Sequence, residues 1–142
     1  MHRGPFRRRP DLPRELEAAW QAFVDCVDVI EAGRRRVLAT LPAGRVEPAP
    51  VGVGLDVLER AIGDARSWMP PWRVDAVAGE WQACMTALEE AAAAIPEARE
   101  QASNPGELED LLGVLQEVLD PLHVFADAER AWRRRWRVPS RR

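Results

Sequence analysis

Lysine and tyrosine are absent from this 142-residue sequence, so all 20 of its basic residues are arginine. Asparagine occurs once, at Asn104, and isoleucine occurs three times. Because these four amino acids have AT-rich codons, the composition predicts a bacterial or phage genome of high GC content. No apolar run approaches the roughly 18 residues that a membrane-spanning helix requires, and we therefore expect no membrane span.

Cysteine and histidine are also scarce, which limits the chemistry that the chain can carry. Cys26 and Cys84 are too few for the disulfide framework of a small secreted domain, and their apolar surroundings predict buried, reduced thiols. His123 follows Asp120 by three residues, but metal-binding bundles need such a pair twice. No glycine-rich phosphate loop or nucleophile elbow occurs. We expect no metal, no cofactor and no catalytic site, and hence a protein that is not an enzyme.

Apolar residues recur three and four positions apart in four segments, which is the spacing of one face of an α-helix. The four stripes cover residues 16–41, 55–69, 74–102 and 108–136. No segment shows the period of two that is typical of a half-buried strand. The pattern predicts an all-α fold, a helical bundle of three long helices plus one short helix, with the first, third and fourth helices forming the core.

Prolines and glycines divide the chain into one domain with two short ends. Residues 42–54 contain three prolines and three glycines, which predicts a linker between the first helix and the short second one. We expect residues 11–138 to form the single bundle domain, residues 1–10 to be a flexible basic N-terminus and residues 139–142 to be a basic C-terminal tail. Pro96 and Pro121 predict kinks within the last two helices.

The same apolar stripes would also serve the seam of a coiled-coil dimer, because their spacing stays close to 3.5 residues. Arg34 and Glu129 are the polar residues that interrupt the stripes. In an antiparallel bundle they would lie at opposite ends, so we expect no ion pair between them within one chain. Each would then lie at a frayed end of the bundle or face a second copy, and the sequence is compatible with a homodimer.

Six tryptophans are several times the usual number for a chain of this length. Trp20 and Trp81 lie on apolar stripes and are expected in the core. Trp68 and Trp72 flank a Pro-Pro turn, and two interpretations remain open for them. They form either a plug that closes one end of the bundle, with each indole N–H bonded to a polar partner, or an exposed aromatic knob that contacts a partner.

The C-terminal segment is the strongest candidate binding site, because it alternates arginine with tryptophan. Its candidate residues are Arg130, Trp132, Arg133, Arg134, Arg135, Trp136 and Arg137. One interpretation is structural: the tryptophans continue the core and the arginines form a solvated helix C-terminus. A second is nucleic-acid binding, with arginines on phosphates and tryptophans stacked on bases. A third is attachment to an anionic membrane surface or an acidic partner helix.

Charge is distributed unevenly along the chain, whose formal net charge is −3. Residues 1–9 carry four arginines and residues 130–142 carry seven, whereas residues 10–129 carry nine arginines and all 23 acidic residues. No apolar export segment follows the basic start, which favours a cytoplasmic location. The leading hypothesis is a non-enzymatic protein that binds a protein partner or itself. The alternative is a nucleic-acid-binding accessory protein that uses the Arg/Trp-rich helix.

Overall fold

The computed structural model describes residues 9–39, 48–69, 72–103 and 107–137. These ranges contain four helices: α1 (Arg14–Leu38), α2 (Pro48–Trp68), α3 (Ala78–Ser103) and α4 (Leu108–Arg134), and a 3-10 turn at Asp75–Val77. No strand is present in the described ranges, so the predicted all-α bundle is confirmed. Among the helices of this part of the chain, none is long and apolar enough to cross a membrane.

Helices that follow one another in the sequence pack side by side in space. Trp81, near the start of α3, donates its indole N–H to the carbonyl of Met69, just after α2 ends. Arg135, at the end of α4, forms an ion pair with Glu80 at the start of α3. Each helix therefore runs antiparallel to the one before it. The α3–α4 contact is the most extensive, while α1 and α4 approach each other closely at few positions.

Two glycines determine how closely α1 and α2 approach each other. A Cβ atom on Gly33 would lie 2.9 Å from Cδ2 of Leu58, and one on Gly54 would lie 2.8 Å from Cγ2 of Val37. Both distances are shorter than real Cβ contacts, so only a residue without a side chain allows this spacing. The first helix continues through Gly33, where α2 packs against it.

The second helix differs most from the sequence prediction. It is 21 residues long and not short, and it begins at Pro48, so residues 48–54 of the predicted linker are helical. The remainder of that linker, residues 42–47, lies outside the described residues. Prolines are compatible with the first turn of a helix because its N–H groups have no partner within the helix. Packing of Val51, Leu55 and Leu58 against the bundle then offsets the low helix propensity of the glycines.

The core is shared by all four helices, and the prediction that α1, α3 and α4 form it without α2 is wrong. The buried side chains of α2 are Val51, Leu55, Leu58, Ala61, Ile62 and Ala65. This helix packs against both α1 and α3, so it is a structural centre of the bundle. Pro96 and Pro121 each lie inside one helix, α3 and α4 respectively. The expected basic tail, residues 139–142, lies outside the described residues.

Replacing glycine by alanine should have opposite effects at two positions of α2. Gly63→Ala should raise the free energy of unfolding by about 0.5–1 kcal/mol, because alanine favours a helix and nothing lies within 4 Å of the added Cβ. Gly54→Ala increases the helix propensity of α2 by the same amount, but its Cβ atom displaces the side chain of Val37. Its free energy of unfolding should therefore be about 1–3 kcal/mol lower than that of Gly63→Ala.

Urea denaturation of the two variants, followed by circular dichroism, measures this difference directly. Both substitutions replace glycine by alanine in the same helix. The contribution of helix propensity therefore cancels when the unfolding free energies of the two variants are compared. Equal stability of the two variants would contradict the close helix approach at Gly54.

Candidate functional site

Five aromatic side chains meet at the end of the bundle where α1 begins and α4 ends. This tryptophan cluster consists of Trp20, Phe23, Trp72, Trp132 and Trp136. Trp132 lies at its centre, with its ring centroid 5.2 Å from that of Phe23 and 5.4 Å from that of Trp72. The cluster links α1, α4 and the segment after α2, and these rings therefore belong to the core.

Burial removes most of the predicted aromatic binding residues from the surface. Trp132 is 0% and Trp136 is 3% exposed, so neither offers a ring face for a base or a lipid. Trp72 is also completely buried, and its interpretation as an exposed knob is wrong. Its ring packs in the tryptophan cluster, but its indole N–H finds no hydrogen-bond partner among the described residues, unlike in the predicted plug. Trp68, the last residue of α2, is half-buried.

The arginines of the C-terminal segment have different environments. Arg130 and Arg134 are exposed, and Nε of Arg134 donates to the carbonyl of Arg130. Arg133 is half-buried and forms an ion pair with a glutamate one turn earlier in α4. Arg135 is directed toward α3 by its ion pair. Arg137 is exposed, with Nε 3.9 Å from the carboxylate of Asp11.

The basic segments at the two ends of the chain lie side by side. The amide N–H of Leu12 donates to the carbonyl of Arg137 (3.1 Å), and the amide N–H of Arg137 donates to the carbonyl of Pro10 (2.8 Å). This pairing places residue 9 beside the end of α4. Residues 1–8, which hold most of the predicted basic N-terminus, lie outside the described residues.

An open depression of about 670 Å³ forms where these segments meet. Its lining residues are Arg9, Arg130, Arg133, Arg134 and the buried Trp136, and we refer to it as the arginine depression. Four guanidinium groups contributed by both ends of the chain therefore share one surface. Of the basic N-terminal residues, Arg9 is described, and it lies beside the arginines at the end of α4.

Glu129 is a buried acid on the inner side of α4, 2% exposed. Nη2 of Arg133 donates to its Oε1 (2.8 Å), and Nε of Arg133 lies 2.5 Å from Oε2. Burial raises the pKa of this carboxyl, although the Arg133 guanidinium acts in the opposite direction. Arg34 pairs with Glu31 in its own helix. As expected, Arg34 and Glu129 form no ion pair, but Glu129 lies within the bundle and not at a frayed end.

A second surface lies between α1 and α2. It is a groove of about 510 Å³ with an apolar floor and a charged rim. The floor consists of Cys26, Val29, Val53, Val57 and Ala61, and the rim consists of Asp25, Asp56, Arg60 and Asp64. Val29 is 46% and Val53 is 48% exposed. We refer to it as the valine groove.

The carboxylates of the rim also affect the thiol in the floor. Cys26 is half-buried, and its pKa is raised by burial first and then by the negative charges of Asp64 and Asp25. Cys84 is completely buried, and burial raises its pKa to about 12. The expectation of a buried thiol therefore holds for Cys84, whereas Cys26 is half-buried in the floor of the valine groove.

The valine groove was not found from the sequence. Val29 lies outside the apolar stripe of the first helix, and isolated exposed apolar residues are common on monomers. Val53 fell in the predicted linker, so its position on a helix facing α1 was hidden. The available signal was the presence of valines beside the stripe together with Asp56 and Asp64, which are eight residues apart on one helix. That signal has meaning only once the two helices are known to pack together.

The described residues contain no cluster of three or more histidine, cysteine or acidic side chains that could hold a metal ion. Nε2 of the exposed His123 lies 3.9 Å from the carboxylate of Asp127. No protein-family model matches the sequence, and no similar curated protein or solved structure was found. The function is therefore inferred from the geometry of the two surfaces.

The raised pKa of Glu129 predicts how stability changes with pH. Because the folded state holds this proton more tightly than the unfolded state, ionisation of Glu129 costs folding free energy as pH rises above its ordinary pKa of 4.5. Relative to Glu129→Gln, the native protein should lose stability between pH 4.5 and neutrality. Urea denaturation of both proteins across this range measures the effect.

The control is Glu117→Gln, an exposed position on the same helix, for which no such relative loss is expected. A native protein that gains stability over Glu129→Gln as pH rises would show that the carboxyl pKa is lowered and would contradict the assignment.

Thiol reactivity should distinguish the two cysteines. In the folded protein we expect one thiol, Cys26, to react with a disulfide reagent at neutral pH, more slowly than a free thiol because its pKa is raised. Cys84 should react only after unfolding. Asp64→Asn should accelerate the reaction of Cys26 by removing a negative charge, and Cys26→Ser should leave no reactive thiol. Two equally reactive thiols in the folded protein would contradict the structure.

Proposed function

We propose that this chain is a non-enzymatic interaction protein whose valine groove binds a basic, amphipathic helical segment of another protein. The observation that carries the proposal is an exposed apolar floor between two helices, bordered by three carboxylates. The proposal includes a cytoplasmic location and a bacterial or phage source of high GC content, and it assigns no catalytic step to the chain.

The floor of the groove supports a binding role because its apolar residues are contiguous. Scattered apolar residues are normal on a protein surface, whereas apolar patches rimmed by polar residues mark interaction sites. The floor residues belong to two antiparallel helices, and an amphipathic helix can place its own apolar face between such a pair. Burial of Val29 and Val53 by the partner would contribute about 1 kcal/mol or more for each side chain.

The rim of the groove specifies the charge of the partner. Asp25 and Asp64 are exposed and lie on opposite helices, while Asp56 already forms an ion pair with Arg99 (2.8 Å). Against these acids the rim carries a single guanidinium, that of Arg60. A cationic segment therefore gains attraction at both edges, and an acidic segment is repelled. Such complementarity raises association rates and selects the partner.

A homodimer remains part of the proposal, but the valine groove does not favour it. The apolar stripes that suggested a dimer are buried within one chain. An isologous contact centred on the groove would also place the rim carboxylates of both copies against each other. The second copy is therefore the less favoured occupant of this groove.

Synthetic helical peptides test the groove. A labelled peptide of roughly 20 residues with leucines on one face and arginines on the other should bind at about 50 mM salt, and the same peptide with glutamates should not. Asp25→Asn/Asp64→Asn should weaken binding about tenfold, because two exposed ion pairs are lost. Fluorescence anisotropy measures the affinity, and the bound peptide should slow the reaction of Cys26.

Glu89→Gln/Glu90→Gln is the matched control: it removes the same charge from exposed positions of α3, outside the groove, and binding should not change. Equal weakening by both double variants, or binding of the glutamate peptide, would contradict the proposal. Sedimentation that shows self-association of the native chain, reversed by the labelled peptide, would identify a second copy as the occupant and contradict a separate partner.

A further inference from the structure

We propose that the arginine depression binds the phosphate backbone of a nucleic acid, without reading its sequence. The depression brings Arg9 from one end of the chain together with Arg130 and Arg134 from the other. It lies at the end of the bundle, apart from the valine groove, and it takes a ligand of opposite charge.

The fold fixes the backbone at residue 9 and orients the side chains of Arg133 and Arg134 in the depression. The main-chain pairing of Pro10 and Leu12 with Arg137 fixes residue 9 beside α4. Arg133 is oriented by its two contacts with Glu129, and Arg134 by its contact with the carbonyl of Arg130. Guanidinium groups offer planar pairs of N–H donors that match phosphate oxygens, so a fixed group of them is suited to phosphate recognition.

The number of guanidinium groups favours a polymer over a single phosphate. Arg9 and Arg130 can each offer about five N–H donors, and Arg133 and Arg134 keep those that are not used within the chain, which together is more than one phosphate can accept. The depression is open to solvent along its length, and a nucleic-acid strand offers regularly spaced phosphates. Arg9 and Arg130 are exposed and form no ion pair with other described residues, so they are available to such a ligand.

Base stacking does not contribute to this mode of binding. The tryptophans that would stack, Trp132 and Trp136, are buried in the tryptophan cluster. Contacts to phosphates alone carry no sequence information. Contacts between arginines and phosphates therefore remain compatible with the structure, whereas stacking of tryptophans on bases does not.

A membrane surface is less suited to the depression. Interfacial helices insert tryptophan, phenylalanine or leucine into the lipid, but the aromatic residue in the lining is buried. The large apolar residues that are exposed in the described chain are Val29, Leu38, Val53 and Val124, none of which lines the depression.

A salt titration with the full chain tests the proposal. With four arginines on phosphates, the logarithm of the affinity for a DNA duplex should fall with the logarithm of salt concentration at a slope of about −3.6, which is roughly 100-fold between about 50 and 200 mM. Arg130→Gln/Arg134→Gln should halve the slope. Both positions are exposed, so the variant should remain folded, which circular dichroism checks.

The control is Arg36→Gln/Arg66→Gln, which removes the same charge from exposed positions outside both the depression and the valine groove, and its slope should match that of the native chain. Tryptophan emission should not change on binding, because the ring in the lining of the depression, that of Trp136, is buried. Undetectable DNA binding at low salt would overturn the proposal. Equal losses in both variants, or strong quenching of tryptophan, would do the same.

Two further ligands separate this proposal from its competitors. Vesicles of phosphatidylserine and phosphatidylcholine represent an anionic membrane, and polyglutamate represents an acidic protein segment. We expect neither to compete with DNA at equal charge concentration. Stronger binding to either one would assign the depression to a different class of partner. The peptide experiment on the valine groove uses other residues, so the two proposals can fail independently.

Discussion

The tryptophan cluster is the contact on which the arrangement of the whole chain depends. The backbones of α1 and α4 approach closely at few positions, so large side chains must fill the space between them. Trp20 from α1 stacks on Trp132 from α4 with ring centroids 5.7 Å apart, and Trp72 closes the group from the segment after α2. Aromatic rings of this size bury much apolar surface, and their mutual contacts add to that contribution. The cluster therefore closes the bundle and holds its two chain ends together.

The position of the cluster also explains what lies outside it. On the last turns of α4, a spacing of four residues directs Trp132 and Trp136 inward, while Arg130 and Arg134 remain on the outside. Burial of the rings makes this stretch a rigid support for guanidinium groups, and the pairing with residues 10–12 adds Arg9 to them. Core packing and the charged surface are thus two faces of one helical segment. The valine groove has a similar origin, since the close approach of α1 and α2 at Gly54 brings their exposed valines together.

Most of the fold was predictable because the bundle is built from local periodicity. Apolar residues at helical spacing define four helices whatever the partners are, and the structure places them where the stripes are. The start of α2 was not predictable in this way. Prolines and glycines in residues 48–54 have low helix propensity and favour a linker. Burial of Val51 and Leu55 in the core, however, stabilises the helix by more free energy than these residues cost it. Tertiary packing outweighs local preference at this point, and it makes α2 a central helix.

The sequence by itself determined three properties, since each follows from the order of the residues. These are the all-α class, the four apolar stripes that mark the helices, and the concentration of arginines near the two ends of the chain. It also identified the C-terminal segment as the place to look for binding. Only the tertiary structure decided that Trp72, Trp132 and Trp136 are internal, that Arg9 lies beside the arginines at the end of α4, and that Asp25 and Asp64 border one apolar groove. These facts depend on contacts between residues far apart in the chain. Periodicity within a helix shows which side is apolar, but not which side chains from other helices cover it.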